Sequence, residues 1–290
     1  DGYGRVAGKP AATLLHLGPG LANGLANLHN ARRASTPLVN IVGDHATYHL
    51  QYDAPLTSDI VGFARPVSSW IHESKNADSV ASDAARAVQA ARAAPGGVST
   101  LILPADTAWN EARRAEQKLP DLLPAPVSPD AIDAAARLLS NGKKTALLLR
   151  GAALYGAGLE AAGRVQAKTG ARLLCDTFAP HAELGAGRVP VERIPYFAEQ
   201  IVDFLKDFEQ IIFVGAKPPV SFFAYPGKPS WCVPEGSHLS YLAHAHQDGA
   251  QALAALADTL GAPARSPVRI PLQLPELPSG PLTALGVAQV

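Results

Sequence analysis

Apolar residues in the first hundred positions follow two alternating periods. Short apolar runs predict buried strands at residues 13–16, 37–42, 67–72 and 98–104. Between the first two runs, Leu21, Leu25 and Leu28 share one helical face, and residues 77–94 form an alanine-rich helical pattern that Pro95 ends. Strands that alternate with helices in this way predict a parallel α/β layer over residues 1–110.

A second alternation follows and predicts another α/β domain over residues 128–263. Ser128 is a helix N-cap residue, and Pro129 occupies the first helical position. Further strands are predicted at residues 145–149, 171–175, 210–214 and 231–233, and further helices at 151–168, 197–208 and 250–260. The expected fold class is therefore α/β, with two Rossmann-like parallel-sheet domains.

Two segments fall outside these domains. Residues 111–127 are first charged and then rich in proline, which predicts a stiff linker. Residues 264–290 contain a proline-rich stretch up to Pro281 and then a helical pattern that begins at Leu282. We expect this last segment to be a linker and the start of a further domain.

Composition narrows the class of protein. The chain has 290 residues, of which 47 % are hydrophobic, which is sufficient for two domains of ordinary size, each with its own hydrophobic core. Its 25 basic and 25 acidic residues cancel, which gives no charge field for nucleic acid, and no apolar run is long enough for a membrane span. Cys175 and Cys232 lie in apolar stretches and are expected to be buried, reduced thiols of a cytoplasmic protein. The chain has no methionine, which indicates a piece of a longer protein, and we expect it to be truncated at both ends.

The first predicted strand ends in the most informative stretch. His16 closes the apolar run, a Gly18-Pro19-Gly20 turn follows, and the helical pattern then begins. Asp44 follows the neighbouring predicted strand. In parallel α/β sheets ligands bind at the carboxyl ends of the strands, and a helix start offers free N–H donors. The sequence therefore predicts a ligand site around His16 and Asp44.

Several motifs in order resemble one family. They are residues 1–5 (Asp-Gly-Tyr-Gly-Arg), 8–10 (Gly-Lys-Pro), 18–20 (Gly-Pro-Gly) with Asn23, 36–39 (Thr-Pro-Leu-Val) and 59–67. This set resembles the pyrimidine-binding domain of thiamine-diphosphate enzymes, in the group of acetolactate synthase and benzoylformate decarboxylase. The following segment resembles the central domain of the same family.

The resemblance implies a cofactor and an assembly. Gly18, Pro19 and Asn23 would touch the pyrimidine of thiamine diphosphate held mainly by a neighbouring subunit, in a homodimer or homotetramer with active sites between subunits. The Mg²⁺ ligands, and the glutamate that activates the pyrimidine, would lie outside this chain; the motif 43–45 (Gly-Asp-His) is not counted as a metal site. The alternative interpretation of Gly18 and Asn23 is a helix start with a local cap.

Three residues are candidate catalytic groups: His16, Asp44 and His45. An imidazole that titrates near neutrality can donate to a carbonyl or accept a proton. The alternatives are a buried histidine bonded to backbone for His16, and a polar loop rim for Asp44 and His45. His49 lies one helical turn beyond His45, but no glutamate completes a metal motif, so no metal site is predicted.

The expected function is an acetolactate-synthase-like reaction of a small 2-oxo acid, decarboxylation followed by carboligation. His16 favours a benzoylformate-type decarboxylase instead, because the resemblance implies that decarboxylases of that type carry a histidine at this strand end. Asp44 stands where acetolactate synthases have glutamine, which argues against acetolactate synthesis. A non-catalytic binding or scaffold unit stays open. Some relatives bind FAD in the central domain, but the spacing of Gly151, Gly156 and Gly158 is not the dinucleotide fingerprint.

Overall fold

The computed structural model describes residues 1–113, 115 and 118–289. The chain divides into two compact units, which are described separately. Unit 1 comprises Asp1–Val127, Phe178–His181 and Ala243–Asp248; unit 2 comprises Ser128–Thr177, Ala182–Leu242 and Gly249–Val290. Of the predicted linker 111–127, residues 114, 116 and 117 lie outside the described residues, as does Val290 of the predicted final helix.

Unit 1 is built on a parallel sheet of four strands in the order β1-β2-β4-β3. The strands are β1 (Ala11–His16), β2 (Leu38–Asp44), β3 (Trp70–Glu73) and β4 (Val98–Pro104). The helices are α1 (Gly2–Ala7), α2 (Leu17–Ala34), α3 (Ile60–Ala64), α4 (Ala77–Arg92) and α5 (Ala105–Trp109), with a 3₁₀ turn at Leu50–Tyr52.

Alternate residues of these strands face two separate cores. Val42 and Ile102 pack with Leu21 of α2 on one face, and Val39 and Leu101 pack with Ala87 of α4 on the other. A strand that is covered on both faces must be apolar at nearly every position, which is why β2 and β4 were predictable as continuous runs. The two helix layers leave the carboxyl ends of the strands as the open edge of the sheet.

Unit 2 has a five-stranded sheet in the order β7-β6-β5-β8-β9. The strands are β5 (Thr145–Leu149), β6 (Arg172–Cys175), β7 (Glu192–Arg193), β8 (Gln210–Val214) and β9 (His238–Ala243). The helices are α6 (Pro129–Leu139), α7 (Gly156–Thr169), α8 (Ala198–Leu205), α9 (Gly249–Thr259) and α10 (Ala284–Gln289), with a 3₁₀ turn at Gly151–Leu154. The central strand β5 is buried along its whole length and pairs in parallel with β6 and β8.

One predicted strand is wrong. Residues 231–233 form no strand; Trp231 makes only an isolated antiparallel bridge to Val220. Pro234 follows directly and has no N–H, so the apolar run does not extend into a ladder. The strand that completes the sheet is β9, whose polar His238 and Ser240 hid it from the apolar pattern.

Two further observations bear on the sequence predictions. Ala125 lies at the end of the predicted linker; its N–H donates to the carbonyl of His246 at 3.1 Å, and its own carbonyl accepts from Asp248 N–H at 2.9 Å, all within unit 1. Across the described part of the chain, no helix combines the length and the apolar character that a bilayer crossing requires.

Candidate functional site

The turn between β1 and α2 is made by a single residue. Leu17 is buried and has a left-handed φ of 56°, and α2 begins at that residue. The prediction of a Gly18-Pro19-Gly20 turn ahead of the helix is therefore wrong, because these residues form the first turn of α2 itself. Proline fits there since its missing N–H has no intrahelical partner to lose. A leucine in the left-handed region costs about 1–3 kcal/mol, and such strain concentrates at functional sites.

The start of α2 faces the open edge of the sheet. His16 occupies the N-cap position, and its side chain makes no capping hydrogen bond. The first N–H groups of an α-helix have no intrahelical acceptor, so this eighteen-residue helix offers donors at the edge. The His16 side chain is exposed to solvent there.

Gly18 is needed for close packing within unit 1. A Cβ at this position would lie 2.2 Å from the Cβ of Ser58 and 3.3 Å from the Phe63 ring. Gly18 thus allows the loop between β2 and α3 to pass against the first turn of α2. Pro19 and Asn23, by contrast, are exposed on α2.

The structure brings His16 and Asp44 to neighbouring strand ends. In the register of the parallel pair β1–β2, His16 lies opposite Gly43, and Asp44 is the next residue of β2. Asp44 in turn lies opposite Pro104, the last residue of β4. Because parallel strands present their carboxyl ends at one edge, both residues lie at the same end of the sheet.

Burial dominates the electrostatics of Asp44. Its carboxyl group is half-buried, and this burial raises its pKa. The N–H of His45 donates to Asp44 Oδ1 at 2.7 Å and opposes the shift, whereas the Glu73 carboxylate adds to it. Glu73 is the last residue of β3 and was missed, because the predicted strand 67–72 stopped one residue short.

His45 has an unused ring nitrogen. Its Nε2 is buried and has no hydrogen-bond partner among the described residues. The ring lies 5.4 Å from the ring of His49, which lies 5.8 Å from that of Tyr52. A buried polar atom without a partner costs free energy, so Nε2 is a ready donor or acceptor for a ligand group or a water at this edge.

The loop after β2 is fastened to the edge by Asp106 of α5. The N–H and the hydroxyl of Thr47 donate to the two Asp106 carboxylate oxygens at 3.0 and 2.6 Å. Both hydrogen bonds lower the pKa of Asp106, and the bond from the Thr47 hydroxyl has the larger effect. This contact could not be predicted from the sequence, because its partners lie 59 residues apart along the chain.

A buried polar ladder supports the strands behind the site. The Thr13 hydroxyl donates to Asn40 Oδ1 at 3.0 Å, and Asn40 Nδ2 donates to Thr100 Oγ1 at 3.1 Å. Thr100 Oγ1 lies 2.7 Å from the Ser68 hydroxyl. Asn40 is fully buried, and the ladder joins β1, β2 and β4. Fully paired polar networks of this kind fix one arrangement of a core.

The described residues contain no group of three or more histidine, cysteine, aspartate or glutamate side chains that could hold a metal ion. Cys175 and Cys232 are both buried and free. Burial raises the pKa of each thiol, so neither is an activated nucleophile.

Comparison with known proteins connects this edge to a family. Residues 1–64 match the family model described as thiamine pyrophosphate enzyme, N-terminal TPP binding domain. A Mycobacterium tuberculosis protein provisionally named acetolactate synthase large subunit IlvX is 48 % identical over 290 residues, all of this chain and 55 % of that protein. Benzoylformate decarboxylase of Pseudomonas aeruginosa is 30 % identical over 145 residues, which is 50 % of this chain and 27 % of the relative.

The fold matches as well. A solved structure, the thiamine diphosphate-dependent 4-hydroxybenzoylformate decarboxylase of Rhodococcus jostii, superimposes with a TM-score of 0.75 at 20 % identity, over 97 % of this chain and 56 % of that one. The chain thus spans about half the length of these longer relatives. The matched residues 1–64 include β1, the first turn of α2, β2 and the loop that carries His45. The chain is thus similar over residues 1–64 to the N-terminal domain of thiamine pyrophosphate enzymes, and over its whole length to a protein provisionally named as an acetolactate synthase large subunit.

Proposed function

We propose that the protein containing this chain decarboxylates a small 2-oxo acid and joins the product to a second carbonyl compound, as an acetolactate synthase does. One observation carries the proposal: His16 and Asp44 end adjacent strands beside the first turn of α2, inside the segment that matches the thiamine-diphosphate-binding family. The extent of similarity to the M. tuberculosis relative supports the same reaction class.

The described residues fit one part of the cofactor. Pro19 and Asn23 are exposed and could contact a pyrimidine ring, one by packing and the other through its amide, whereas Gly18 is covered by Ser58. No described group of histidine, cysteine, aspartate or glutamate side chains suits a metal ion, so we assign the Mg²⁺ ligands to another part of the protein. When bound, thiamine diphosphate supplies the electron sink for loss of CO₂ from a 2-oxo acid.

The chain's own residues then have separate roles. The exposed His16 imidazole donates a hydrogen bond to the substrate carbonyl or takes up a proton. Asp44, whose pKa is raised by burial, holds a proton more tightly than an ordinary aspartate and can return it. The unpartnered Nε2 of His45 orients a polar group of the substrate or a water.

A benzoylformate-type decarboxylase is the second candidate. His16 favours it, because release of an aldehyde requires a proton at the carbon that has lost CO₂, which a histidine at the strand end can supply, and the P. aeruginosa relative bears that name. We further propose a homodimer or homotetramer with active sites between subunits, located in the cytoplasm, where buried free thiols such as Cys175 stay reduced. FAD is not part of the proposal.

Product analysis on the complete protein tests the reaction. With thiamine diphosphate and Mg²⁺ present, pyruvate should give 2-acetolactate and CO₂ in the ratio of one to one. Benzaldehyde and CO₂ from benzoylformate, without acetolactate from pyruvate, would favour the second candidate. If neither 2-oxo acid is consumed, the proposal fails and a non-catalytic binding unit takes its place.

The cofactor contact has a separate test. Asn23→Ala should weaken thiamine diphosphate binding by about two- to tenfold, the value of one hydrogen bond. Asn27→Ala is the matched control, since Asn27 is also exposed and lies one turn further along α2. Titration calorimetry on the complete protein measures both, and equal affinities would remove Asn23 from the cofactor site.

A further inference from the structure

His45 lies in a short stretch of unit 1 that two carboxylates hold. On one side, its own N–H donates to Asp44 Oδ1 at 2.7 Å. Two residues further along, the N–H and the hydroxyl of Thr47 donate to the Asp106 carboxylate at 3.0 and 2.6 Å. Ala46, between the two contacts, is buried. The backbone around His45 is therefore fixed on both sides by contacts that do not involve its ring.

Asp106 is itself placed by the end of a central strand. It is the second residue of α5, which begins directly after Pro104, the last residue of β4. The hydroxyl of the buried Thr107 donates to the Pro104 carbonyl at 2.7 Å and fixes the start of this helix. The strand β4 is paired on both sides, with β2 and β3. The carboxylate thus belongs to a firmly held element, and the loop with Thr47 is the part that would move without the contact.

The contact between Thr47 and Asp106 is of a strong kind. Its hydrogen bonds lower the pKa of Asp106, so the carboxylate is ionised at neutral pH. Hydrogen bonds to an ionised acceptor are shorter and stronger than those between neutral groups, and the hydroxyl bond of 2.6 Å lies in their range. One carboxylate therefore restrains both the backbone and the side chain of Thr47.

The orphan Nε2 of His45 needs a restraint of this kind. A buried polar atom without a partner raises the free energy of the folded protein, so a loop that could move would turn this nitrogen toward water. Unfavourable local arrangements persist only where the surrounding contacts over-determine them, and they concentrate at ligand sites. The Thr47 contacts do not satisfy Nε2 itself. They hold it in a state that a ligand atom or a water would complete.

We propose that Asp106 is a positioning residue, which acts through Thr47 to keep His45 Nε2 buried and ready for a polar group of the substrate. This inference rests on the proposed function, because the ligand that Nε2 would meet is the 2-oxo acid. A loop that is ordered in advance need not be ordered when the ligand binds, which favours binding. Asp106 acts through Thr47 and does not itself contact the substrate.

The test measures how readily a reagent reaches His45 in the complete protein without substrate. Diethyl pyrocarbonate modifies unprotonated imidazole nitrogens, and peptide mass spectrometry gives the rate for each histidine. Asp106→Ala should raise the rate at His45 at least about tenfold, which corresponds to the loss of one hydrogen bond to a charged group. His72 of the same unit, whose Nε2 lies 3.1 Å from the buried Asp83, should keep its rate.

Matched variants separate this contact from others in unit 1. Thr47→Val removes only the hydroxyl at nearly constant volume and should also raise the rate at His45, whereas Thr47→Ser keeps the hydroxyl and should leave the rate unchanged. Asp78→Ala is the control for loss of a carboxylate. Asp78 also accepts a backbone N–H from a distant residue of unit 1, that of Arg113 at 2.7 Å, and its replacement should not change the rate at His45.

Steady-state kinetics of the complete protein test the consequence for the reaction. A loop that is in place less often lowers the apparent affinity in proportion, while bound substrate restores the arrangement. Asp106→Ala should therefore raise KM for the 2-oxo acid about three- to tenfold and change kcat by less than about threefold. Thr47→Ser should leave both constants unchanged.

An unchanged rate at His45 in Asp106→Ala overturns the inference. So do equal rises at His45 and His72, which would indicate a general loosening of unit 1, and a selective rise at His45 without a change in KM. If the complete protein consumes no 2-oxo acid, the proposed function fails, whereas the modification rates still decide whether Asp106 holds His45.

Discussion

Water reaches the two strand-end side chains of the candidate site to different extents. His16 is exposed at the N-cap of α2, whereas Asp44 is half-buried one strand away. An exposed side chain can be replaced with little effect on folding, while a half-buried carboxyl group couples its protonation to stability. Substitutions at the two positions should therefore have different consequences.

For His16→Ala in the complete protein, we expect kcat to fall by about a hundred- to ten-thousandfold, the usual loss when a general acid–base group is removed. The melting temperature should stay within about two degrees, because the side chain is exposed. His29→Ala, an exposed histidine on the same helix, is the control. A kcat that is unchanged at saturating 2-oxo acid would end the catalytic role of His16.

The raised pKa of Asp44 predicts a pH-dependent gain for Asp44→Asn. Above the ordinary aspartate value of about 3.9, the folded state binds more protons here than the unfolded state, so this group lowers stability as pH rises through its folded pKa. Asparagine keeps the acceptor for His45 N–H without the charge. Urea unfolding at pH 4 and pH 7.5 should therefore show a stability gain for the variant that is larger at pH 7.5. An equal effect at both pH values would contradict the burial argument.

At the scale of elements, the junction of β1 and α2 is set by contacts that sequence does not display. The pattern predicted the leucine face of the helix and a strand that ends at His16, although β1 begins two residues before the predicted start at residue 13. It misplaced the turn, because glycine and proline usually mark turns and nothing indicated that Leu17 takes the left-handed conformation. The need for glycine at position 18 comes from Ser58, forty residues away.

This contact predicts opposite results for two neighbouring glycines. Gly18→Ala should destabilise the protein by about 1–3 kcal/mol, because its Cβ would overlap the Ser58 side chain. At Gly20 a Cβ would meet its nearest atom at 3.4 Å, an ordinary contact, so Gly20→Ala should stabilise the helix by up to about 1 kcal/mol.

Unfolding in urea measures both glycine variants. Ser58→Gly should restore most of the loss in the Gly18→Ala background, since it removes the overlapping atoms. If Gly18→Ala is as stable as Gly20→Ala, Gly18 is not required for packing.

The central strands of both sheets could be predicted because burial on two faces makes them mostly apolar, as in β5 and β8. The outer strands β7 and β9 could not, because β7 has two residues and β9 carries polar side chains. For the site, strand ends indicated His16 and Asp44. Glu73 and the orphan nitrogen of His45 required coordinates, because each depends on residues brought together by folding.

At the scale of the whole molecule, the described residues contain no cluster for a metal ion, and the proposed cofactor contacts are Pro19 and Asn23 alone. We therefore expect the 290-residue chain alone, with thiamine diphosphate and Mg²⁺ added, to release no CO₂ from pyruvate or benzoylformate. A CO₂ assay with the complete protein as positive control checks this. Turnover by the chain alone would show that the metal and diphosphate ligands need no other part of the protein.

The polar ladder through Asn40 also fixes the register of β2 against its neighbouring strands. If β2 slipped by one residue against its neighbours, Asn40 would turn to the opposite face and lose both Thr13 and Thr100. The same slip would cost a purely apolar strand far less free energy, because it would break no side-chain hydrogen bond. The pairing of His16 with Gly43 is thus set three residues earlier, where Thr13 pairs with the buried Asn40. Side chains at the strand ends can therefore be replaced by others with different chemistry, because the ladder keeps the strands in register.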